Sequence, residues 1–558
     1  MSSKNTANGD WVTQIADRAI RRYETTAGSG SKVVVASGLS PSGPIHLGNL
    51  RELMVPHYVA DEIKRRGVPC EHILSWDDYD RFRKVPVGVP TEFDQYIGRP
   101  LTSVPDPEHE LESWADRFKG PIRQAMDRLG LEIREISQTE MYKSGAYLQQ
   151  IIKALRSRKE IDDLLGKYRT LPGAEDHSDD DDDGVAGDQY WPYTVYCHQC
   201  ERDFTEITAM TDAGTDDTVE LSYRCIRCGH DATMNLADEN RGKLVWKVDW
   251  PMRWAYEGVT FEAAGADHSS PGSSFTVGSE VVSQIYRGQA PNYTAYSFVG
   301  GQGSGKLSSS TGGVPTPSDA LEVLEVPILR WMYARKSPRQ SISVDLSGGV
   351  PALYDEWDSL TRKVQADGTG GSQKLAYVRA CRTESAGEFA RPQTTMPFRT
   401  LASAIGIAAG DAEQTTRIVS ELGSIEPEQV PTIEPRLSLA RTWVRDYAPE
   451  QDRIVVRNEP DQERLASLSE TESSWLDLLI THLEDDWTLD GCRALVYGVP
   501  KLALGLPADT DPTAELKTQQ RAFFRLLYNL FLGSDTGPRL PTLLMALGAS
   551  RVRTLVGQ

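Results

Sequence analysis

Two segments rich in glycine and serine hold the side chains that could bind a nucleotide. The first, ASGLSPSGPIHLGN at residues 36–49, follows the apolar run VVV and precedes a segment with helical spacing. Its glycines would let the backbone approach a ligand, and a helix starting near His46 would direct free N–H groups at phosphate. The spacing matches neither a P-loop nor a dinucleotide-binding fingerprint. Taken alone, such a segment is more often a structural turn than a nucleotide site.

The second segment, GGQGSGKLSSSTGG at residues 300–313, carries one cation, Lys306, among hydroxyl groups. Such a composition is also typical of a flexible linker. Here it follows an apolar strand predicted at residues 296–299, and a lysine flanked by hydroxyls suits a loop that closes over a triphosphate. We therefore interpret this segment as a phosphate-binding loop.

Four of the seven cysteines form two C-x-x-C pairs, Cys197 with Cys200 and Cys225 with Cys228. Each pair can direct two sulfurs at one ion, which predicts a tetrahedral zinc site. The alternatives are two unrelated reduced pairs or a redox pair, and no thioredoxin-like context favours the latter. His198 and His230 are not needed by a four-sulfur site, so we interpret them as surface residues.

The alternation of strand and helix signals predicts how these residues are positioned. Residues 32–36 are predicted as a buried strand, residues 50–66 as an amphipathic helix ended by Gly67, and residues 72–76 as the next strand. This order predicts an α/β fold with a Rossmann-type, doubly wound parallel sheet. Ligands of such sheets bind beyond the carboxyl ends of the strands, where the segment 36–49 would lie.

The 558 residues predict about three or four structural units. We predict a catalytic domain in two halves, 1–189 and 241–345, with a zinc-binding module at 190–240 inserted between them. An acidic run, EDHSDDDDDGVAGD at residues 175–188, leads into the insert and is predicted to be a solvated loop. Strand signals fade beyond residue 345, so 346–558 is predicted to be all-α.

The composition is acidic, with 60 Lys+Arg against 80 Asp+Glu and a formal net charge of −20. This balance argues against a polyanionic partner. Molar salt would change that expectation, because screening over about 3 Å would remove the repulsion by distant acids. Within the predicted helix 515–532, Lys517, Arg521 and Arg525 form a basic file that suggests nucleic-acid contact or, alternatively, ordinary solvated charges.

Nothing in the sequence predicts a membrane span or an export signal. No run approaches the roughly 20 apolar residues of a spanning helix. The first residues, MSSKNTANGDWVTQIADRAI, lack the basic, apolar and cleavage regions of a signal peptide. We expect a cytoplasmic protein with no membrane partner.

Together the two Gly/Ser-rich segments resemble the signature pair of class I aminoacyl-tRNA synthetases. PSGPIHLGN at residues 41–49 resembles the HIGH motif, and KLSSS at residues 306–310 resembles KMSKS. Asn49 and Ser309 depart from these motifs as in the class I, archaeal-type lysyl-tRNA synthetases. Further similarity to that family lies in DDYDRFRKVP at 77–86, WKVDWPMRW at 246–254, GADHSSPGSS at 265–274 and GSDTGPRLP at 533–541.

The resemblance implies ATP-dependent activation of L-lysine to lysyl-adenylate and its transfer to tRNA(Lys), with Mg²⁺ beside ATP and Zn²⁺. It implies catalytic roles for His46, Asn49 and Lys306. The implied ATP-binding residues are Pro41, Ser42, Gly43, His46, Gly48, Asn49, Lys306, Ser308, Ser309 and Ser310. The implied lysine-binding residues are Gly38, Ser40, Asp77, Trp246, His268 and Tyr296.

Three acids, Asp77, Asp80 and Asp249, remain alternatives for the group that faces the lysine ammonium. Trp250 and Trp254 are interpreted instead as a buried stripe. The resemblance also places the zinc insert near the acceptor arm of tRNA, makes 346–558 the anticodon-binding domain, and suggests tRNA contacts by Lys517, Arg521 and Arg525. We expect a monomer.

Two other functions compete with this interpretation. One is a class I synthetase for another amino acid such as glutamate, and the other is a non-catalytic, tRNA-binding zinc protein. The YDRFRKVP stretch and Asn49 argue against the first, and the two intact signature segments argue against the second.

Overall fold

The protein is described here by a computed structural model. The described residues are 9–26, 31–86, 88–169, 187–214, 218–269, 273–301, 314–366, 368, 370–450, 453–507, 509–511 and 513–558. Lys306, Ser308, Ser309 and Ser310, and all but the end of the acidic run, lie outside these residues.

Fourteen strands are described. They are β1 (Val33–Leu39), β2 (Cys70–Trp76), β3 (Arg134–Ser137), β4 (Tyr193–Val195), β5 (Thr205–Asp212), β6 (Val219–Cys225), β7 (Asp231–Asn235), β8 (Gly242–Leu244), β9 (Phe261–Gly265), β10 (Asn292–Tyr296), β11 (Val299–Gly301), β12 (Ile342–Val344), β13 (Arg382–Thr383) and β14 (Gly387–Glu388).

The described α-helices begin before the first strand and continue to the end of the chain. They are α1 (Trp11–Thr26), α2 (Leu47–Arg65), α3 (Trp114–Arg128), α4 (Gln138–Lys143), α5 (Leu148–Arg156), α6 (Arg158–Arg169), α7 (Trp246–Glu257), α8 (Ser274–Gln284), α9 (Pro317–Val323), α10 (Val326–Ala334), α11 (Val350–Gln365), α12 (Gly371–Cys381), α13 (Phe398–Ile407), α14 (Ala412–Gly423), α15 (Arg436–Thr442), α16 (Gln462–Ala466), α17 (Glu470–Thr481), α18 (Leu489–Ala503), α19 (Ala514–Leu532), α20 (Leu540–Leu547) and α21 (Ala549–Leu555).

The chain divides into two compact units. The first comprises 1–321, 329–344 and 364–389, and the second comprises 322–328, 345–363 and 390–558. None of the helices in the described ranges is both long and apolar enough to cross a bilayer. The domain boundaries set out from the sequence stay predictions.

The first unit is built on a five-stranded sheet in the order β10-β9-β1-β2-β3. Every pairing in it is parallel, with Val33 beside Cys70 and Leu39 beside Trp76 where β1 meets β2. The α/β fold with a parallel sheet is thus confirmed. The strand order reverses between β1 and β9, and ligands of open parallel sheets bind at that point beyond the carboxyl ends.

Helix α2 is buried on nearly every side, whereas its sequence predicts an amphipathic helix. Its apolar side chains are buried, but so are four polar side chains, Arg51, Glu52, His57 and Glu62. Arg379 on α12 donates to Glu62 (2.7 Å), and Arg330 on α10 lies 3.2 Å from His57. The amphipathic prediction is wrong because segments distant in sequence cover the polar face and supply partners for its charges.

A proline inside α2 ties this helix to the sheet. Pro56 has no N–H, so the carbonyl of Glu52 loses its usual helical donor. Ser37 Oγ on β1 donates to that carbonyl (2.9 Å), and His72 Nε2 on β2 lies 2.8 Å from Ser37 Oγ. The serine has one proton, so the imidazole N–H is the second donor. Burial lowers the pKa of His72 to about 3, which keeps the ring neutral.

Two elements differ from the sequence-based assignment. The strand predicted at 296–299 is the end of β10 and the start of β11, because Ser297 N turns away to Pro338 O (2.8 Å). The sequence has continuous helical spacing over residues 463–484, but the structure divides this segment into α16 and α17, since Ser469 caps α17 in a reciprocal capping box with Glu472.

The inserted module between α6 and α7 has two small sheets. β4 pairs antiparallel with β8, which closes the two ends of the insert, and β5, β6 and β7 form an antiparallel meander. The burial of β6 alternates strictly, so one face of the meander packs into the core and the other faces solvent.

The second unit consists of helices in its described residues. A central cluster packs side chains from α17 to α21, including Trp475, Val496, Phe523, Leu527 and Leu544. Arg436 on α15 is buried and donates to Glu325 (2.6 Å) and Asp358 (2.8 Å). This buried arginine holds three separate segments of the unit together.

The hydroxyl of Ser37 is expected to stabilise the first unit. Ser37→Ala leaves the Glu52 carbonyl and the His72 N–H without partners, at about 1–3 kcal/mol for each buried group. We expect a lower melting temperature by circular dichroism and faster amide exchange in α2. Ser144→Ala, which alters an exposed serine, is the matched control. Equal melting temperatures for the two variants would contradict the role of Ser37.

Candidate active site

A cavity of about 270 Å³ lies at the carboxyl ends of β1 and β9. It is lined by Gly38, Leu39, Ser40, His46, Gly48, Asn49, Glu52, Asp77, Trp246, Trp250, Glu262, Ala264, Gly265, Asp267, His268, Tyr296, Phe298 and Val299. All six residues predicted to bind the lysine side chain border this cavity, together with His46, Gly48 and Asn49. Residues that are far apart in sequence therefore meet at the switch point of the sheet.

His46 and Asn49 cap the N-terminus of α2 reciprocally. Asn49 N donates to His46 Nδ1 (3.2 Å), and His46 N donates to Asn49 Oδ1 (3.2 Å). A Cβ at position 48 would lie 2.6 Å from the His46 ring, so Gly48 leaves room for the imidazole. His46 is therefore the N-cap of α2, and the same cap fixes both side chains beside the cavity.

Aromatic side chains form much of the cavity wall. Trp246 stacks on Trp250 with ring centroids 5.2 Å apart and an interplanar angle of 13°. His268 meets Trp250 edge-on at 5.7 Å, and Tyr296 and Phe298 line the same cavity. Trp250 is buried, as the stripe interpretation expects, but it also borders the cavity. Such walls suit the methylene stem of a long side chain.

Four carboxylates border the cavity, and none of its described lining residues is a lysine or an arginine. They are Glu52, Asp77, Glu262 and Asp267. Of the three acids considered from the sequence, only Asp77 is on this wall. Asp80 pairs with Lys243, and the buried Asp249 accepts from Tyr142 (2.6 Å).

Burial raises the pKa of three of these carboxyl groups. It raises the pKa of Glu52 to about 8, against the lowering effect of the Tyr296 hydroxyl, which donates to it. It raises the pKa of Glu262 to about 7, against hydrogen bonds from Trp250 (3.0 Å) and Trp254. Burial also raises the pKa of Asp77 to about 6, and the Arg253 guanidinium opposes that rise. A cation in the cavity would favour the ionised forms.

Sequence analysis missed Glu52, Trp250, Glu262, Asp267 and Phe298 as lining residues. Glu52 falls within the predicted helix and Glu262 within an apolar run, so neither shows a local signal of a site. Trp250 shares helical spacing with Trp246, which was the one available indication. The partners of these residues come from other elements, which the sequence alone does not bring together.

Arg51 connects α2 to the strand that precedes the predicted phosphate-binding loop. Its guanidinium is buried and donates to the carbonyls of Ser297 (2.8 Å), Pro338 (2.9 Å) and Gln340 (2.8 Å). Leu47 N, at the start of α2, donates to Pro315 O (3.0 Å). The described residues on either side of that loop are thus fixed to the helix whose N-terminus borders the cavity.

Four sulfurs in the insert lie within 4.8 Å of one another, those of Cys197, Cys200, Cys225 and Cys228. The Sγ atoms of Cys197 and Cys228 are 3.7 Å apart, as are those of Cys200 and Cys225. Tetrahedral zinc–thiolate bonds of about 2.3 Å would place sulfurs about 3.8 Å apart. The arrangement can hold one metal ion.

His198 is not the simple surface residue expected from the sequence. Its Nδ1 lies 2.6 Å from the hydroxyl of Tyr223, and its Nε2 lies 2.7 Å from Glu239. Both ring nitrogens therefore have protein partners, and His198 is half-buried, as is His230. The expectation failed because Tyr223 and Glu239 reach His198 only through the fold of the insert.

Comparison with known proteins decides the family. The sequence profile of the family described as "tRNA synthetases class I (K)" matches residues 9–382. The chain belongs to this family. A protein named lysine--tRNA ligase from Streptomyces coelicolor is 48% identical, over 100% of this chain and 99% of its own length. A protein of the same name from Pyrococcus horikoshii is 34% identical, over 97% of this chain and 98% of its own.

Among solved structures, a glutamate tRNA ligase from Elizabethkingia meningosepticum in complex with its amino acid is 13% identical. The structural match covers 94% of this chain and 98% of the solved chain, with a TM-score of 0.41. This degree of likeness says nothing about substrate. The membership in the class I synthetases for lysine that the sequence motifs predict is confirmed by the family profile and the full-length relatives.

The other residues predicted to bind ATP or tRNA either do not line the cavity or lie outside the described residues. Pro41, Ser42 and Gly43 precede α2 without lining the cavity, and Ser42 is exposed. Lys306 and the three serines after it lie outside the described residues. On α19 of the second unit, the predicted basic file is exposed, and the opposite face of the helix is buried.

Proposed function

We propose that this chain is a lysine--tRNA ligase. In the first step, the carboxylate of L-lysine attacks the α-phosphate of ATP and displaces pyrophosphate, which leaves lysyl-adenylate. In the second step, a terminal ribose hydroxyl of tRNA(Lys) attacks the activated carbonyl and releases AMP. The family membership and the full-length relatives named lysine--tRNA ligase support this function.

The observation that carries the choice of amino acid is the chemistry of the cavity. Its described walls combine aromatic rings with four carboxyl groups and contain no lysine or arginine. A lysine substrate brings two ammonium groups, which such walls attract, and a flexible stem that the rings can cover. A glutamate side chain would add a fifth carboxyl group to these walls, which disfavours the competing synthetase function.

We further propose that Asp77 accepts the ε-ammonium of lysine. Asp77 is buried on the cavity wall, whereas Asp80 and Asp249 are not among the lining residues. Both oxygens of Glu262 already accept from Trp250 and Trp254. In the described part of the chain, the hydrogen bond to the Asp77 carboxylate uses Oδ1, so Oδ2 remains for a substrate donor.

His46 and Asn49 are proposed to bind the phosphates of ATP, which is bound with Mg²⁺. Their mutual cap leaves both side chains at the N-terminus of α2, where the helix dipole attracts anions. The backbone before them, at Pro41, Ser42 and Gly43, would follow the nucleotide. Lys306, with Ser308, Ser309 and Ser310, is proposed to stabilise the charge that develops on pyrophosphate.

The four-cysteine site is proposed to hold Zn²⁺, which would stabilise the small insert. The proposed partner is tRNA(Lys), with the insert near its acceptor arm and the basic file of α19 contacting its phosphates. The second unit would then bind the anticodon. We propose a monomer in the cytoplasm, where charged tRNA is used.

The first test is pyrophosphate exchange with each of the twenty amino acids in turn. Exchange is expected with lysine and not with glutamate.

Lys306→Ala should slow adenylate formation by about 100-fold or more, because one charge stabiliser is lost. Lys336→Ala is the control, a lysine outside the two signature segments. Exchange driven by another amino acid would refute the function, and unchanged pre-steady-state activation in Lys306→Ala would remove that lysine from catalysis.

Metal analysis tests the insert. We expect about one zinc per chain in the wild type and clearly less in Cys197→Ser and Cys228→Ser, with a loosened insert by limited proteolysis. Cys70→Ser, at a half-buried cysteine in β2, should keep its zinc. Full zinc content in both site variants would contradict a four-thiolate site.

Charge reversal on α19 tests the contact with tRNA. Arg521→Glu should raise the KM for tRNA about tenfold, because a phosphate contact is lost, and leave lysine-dependent exchange nearly unchanged, because adenylate formation consumes lysine and ATP but no tRNA. Arg362→Glu, on an exposed face of α11, is the matched reversal and should have a smaller effect. Equal damage to charging and exchange would indicate loss of fold.

The salt dependence of tRNA charging is a separate test. Added salt should first raise the rate of charging by screening the repulsion from acidic side chains, and then lower it by weakening phosphate contacts. A rate of charging that only falls as salt is added would contradict salt adaptation.

A further inference from the structure

Behind the cavity wall lies a buried cluster of charges centred on Arg253, a residue of α7. Arg253 Nη1 donates to Asp77 Oδ1 at 2.6 Å, and Nη2 donates to Asp249, one helical turn earlier. The guanidinium carbon also lies 5.6 Å from the centroid of the Trp246 ring. One buried side chain therefore contacts two residues of the cavity wall, a carboxylate and an aromatic ring, without lining the cavity itself.

The charges of this cluster do not balance without a substrate. Lys243 pairs with Asp80 and lies 3.7 Å from Asp249, so two cations face three carboxylates, Asp77, Asp80 and Asp249, when all are ionised. The formal charge of the cluster is then −1. Uncompensated charge in a poorly solvated site is costly, and one more cation beside Asp77 would neutralise it.

A second, smaller cavity supports an active role for the guanidinium. This space of about 20 Å³ is lined by Arg253 and shares Gly38, Trp246, Trp250 and Glu262 with the larger cavity. Its volume suits about one water molecule. Arg253 Nε is buried, and within the described residues it has no hydrogen-bond partner. The guanidinium thus lies behind two residues of the cavity wall, Asp77 and Trp246, at the back of the proposed lysine pocket.

We propose that Arg253 is a positioning residue for lysine recognition, one that keeps Asp77 ionised and oriented so that its second oxygen can accept the substrate ε-ammonium. Arg253 does not touch the substrate; it acts through Asp77. Asp249 fixes the guanidinium on α7, and Lys243, on the strand that closes the zinc insert, keeps Asp80 from competing for it. This inference rests on the proposed lysine-activating function.

The proposal has a consequence for pH dependence. Burial raises the pKa of Asp77 and Arg253 lowers it, so removing Arg253 should raise that pKa further above its present value of about 6. A neutral Asp77 binds an ammonium weakly, so the acid limb of kcat/KM for lysine should move to higher pH. The other charged or titratable groups around the pair are Asp80, Tyr142, Tyr147, Lys243, Asp249, Glu257 and Glu262.

The experiment compares lysine with norleucine, which has the same stem but no ε-ammonium. In the full-length protein, Arg253→Met should raise the KM for lysine in pyrophosphate exchange by about 10- to 100-fold at pH 7, the range of one charged hydrogen bond. The KM for ATP should stay near wild type. The inhibition constant of norleucine should change little, so the preference for lysine falls by the same factor, and the acid limb moves to higher pH.

Arg379→Met is the matched control. Arg379 is an equally buried arginine that joins two carboxylates, Asp10 and Glu62, away from the cavity. This variant should lower the melting temperature as Arg253→Met does but keep the wild-type preference for lysine and the wild-type pH profile. If Arg379→Met reproduced the selectivity loss, the effect of Arg253 would be one of stability, and the proposal would be overturned.

A double-mutant cycle tests the route through Asp77. Asp77→Asn alone should lose the preference for lysine, and adding Arg253→Met should cost no more, because the group through which Arg253 acts is gone. An equal further loss in the double variant would overturn the proposal. If Arg253→Met does not fold, Arg253→Lys replaces it, since an ammonium lacks the fork that joins Asp77 to Asp249. Wild-type lysine selectivity in Arg253→Lys would then overturn the proposal.

The outcome for this inference is separable from that for the proposed function. Wild-type exchange driven by an amino acid other than lysine refutes the function. Lysine-driven exchange with wild-type selectivity and pH profile in the Arg253 variants refutes only the role of Arg253.

Discussion

The burial of α2 is the constraint on which the first unit depends. The helix carries four polar side chains into the interior, and each is stable there only with a partner. Arg51 donates to the carbonyl of Ser297 at the β10–β11 junction. Glu52 accepts a hydrogen bond from the hydroxyl of Tyr296, and Glu62 accepts one from Arg379. These pairings bring distant segments against the helix. The same constraint sets the site, because the N-terminus of α2, Glu52 and the Tyr296 that pairs with Glu52 border one cavity.

Local signals predicted the parts of this arrangement that depend on local physics. The valine run of β1, the glycine-rich turn and the start of the helix near His46 follow from chain propensity and capping, and the structure has them within a few residues. The spacing of Cys197 and Cys200 likewise brings two sulfurs to one side of a turn. The predicted lysine-site residues all border the cavity because the family motifs carried information that composition and periodicity lack.

What the sequence did not predict depends on tertiary partners. In the sequence, Glu52 resembles a solvated helix residue, but in the fold it is buried and accepts a hydrogen bond from Tyr296. Glu262 has no recognisable role in the sequence, and in the fold it accepts hydrogen bonds from the N–H groups of two tryptophans. The periodicity of α2 suggests a polar face because the pairing of buried charges leaves no trace in hydropathy. The split between α16 and α17 likewise depends on a cap at Ser469, which outweighs continuous helical spacing.

One acidic chain must hold a cationic amino acid and a polyanionic nucleotide next to each other, and the structure separates the two tasks by the kind of group it uses. Carboxyl groups line the cavity, and burial raises the pKa of Glu52 and of Glu262, so a cation bound there would favour their ionised forms. At the proposed phosphate side, the described part of the chain offers the N-terminus of α2, with backbone N–H groups and the His46–Asn49 cap, rather than a cluster of lysines. Backbone dipoles attract phosphate without bringing a full positive charge beside the proposed lysine pocket, so such an arrangement would leave the acids of the cavity available to an ammonium group. A lysine or arginine within the cavity would compete with the substrate for these acids, whereas Arg253 lies behind Asp77 and bonds only one oxygen of that carboxylate, which is the basis of the positioning role proposed for it.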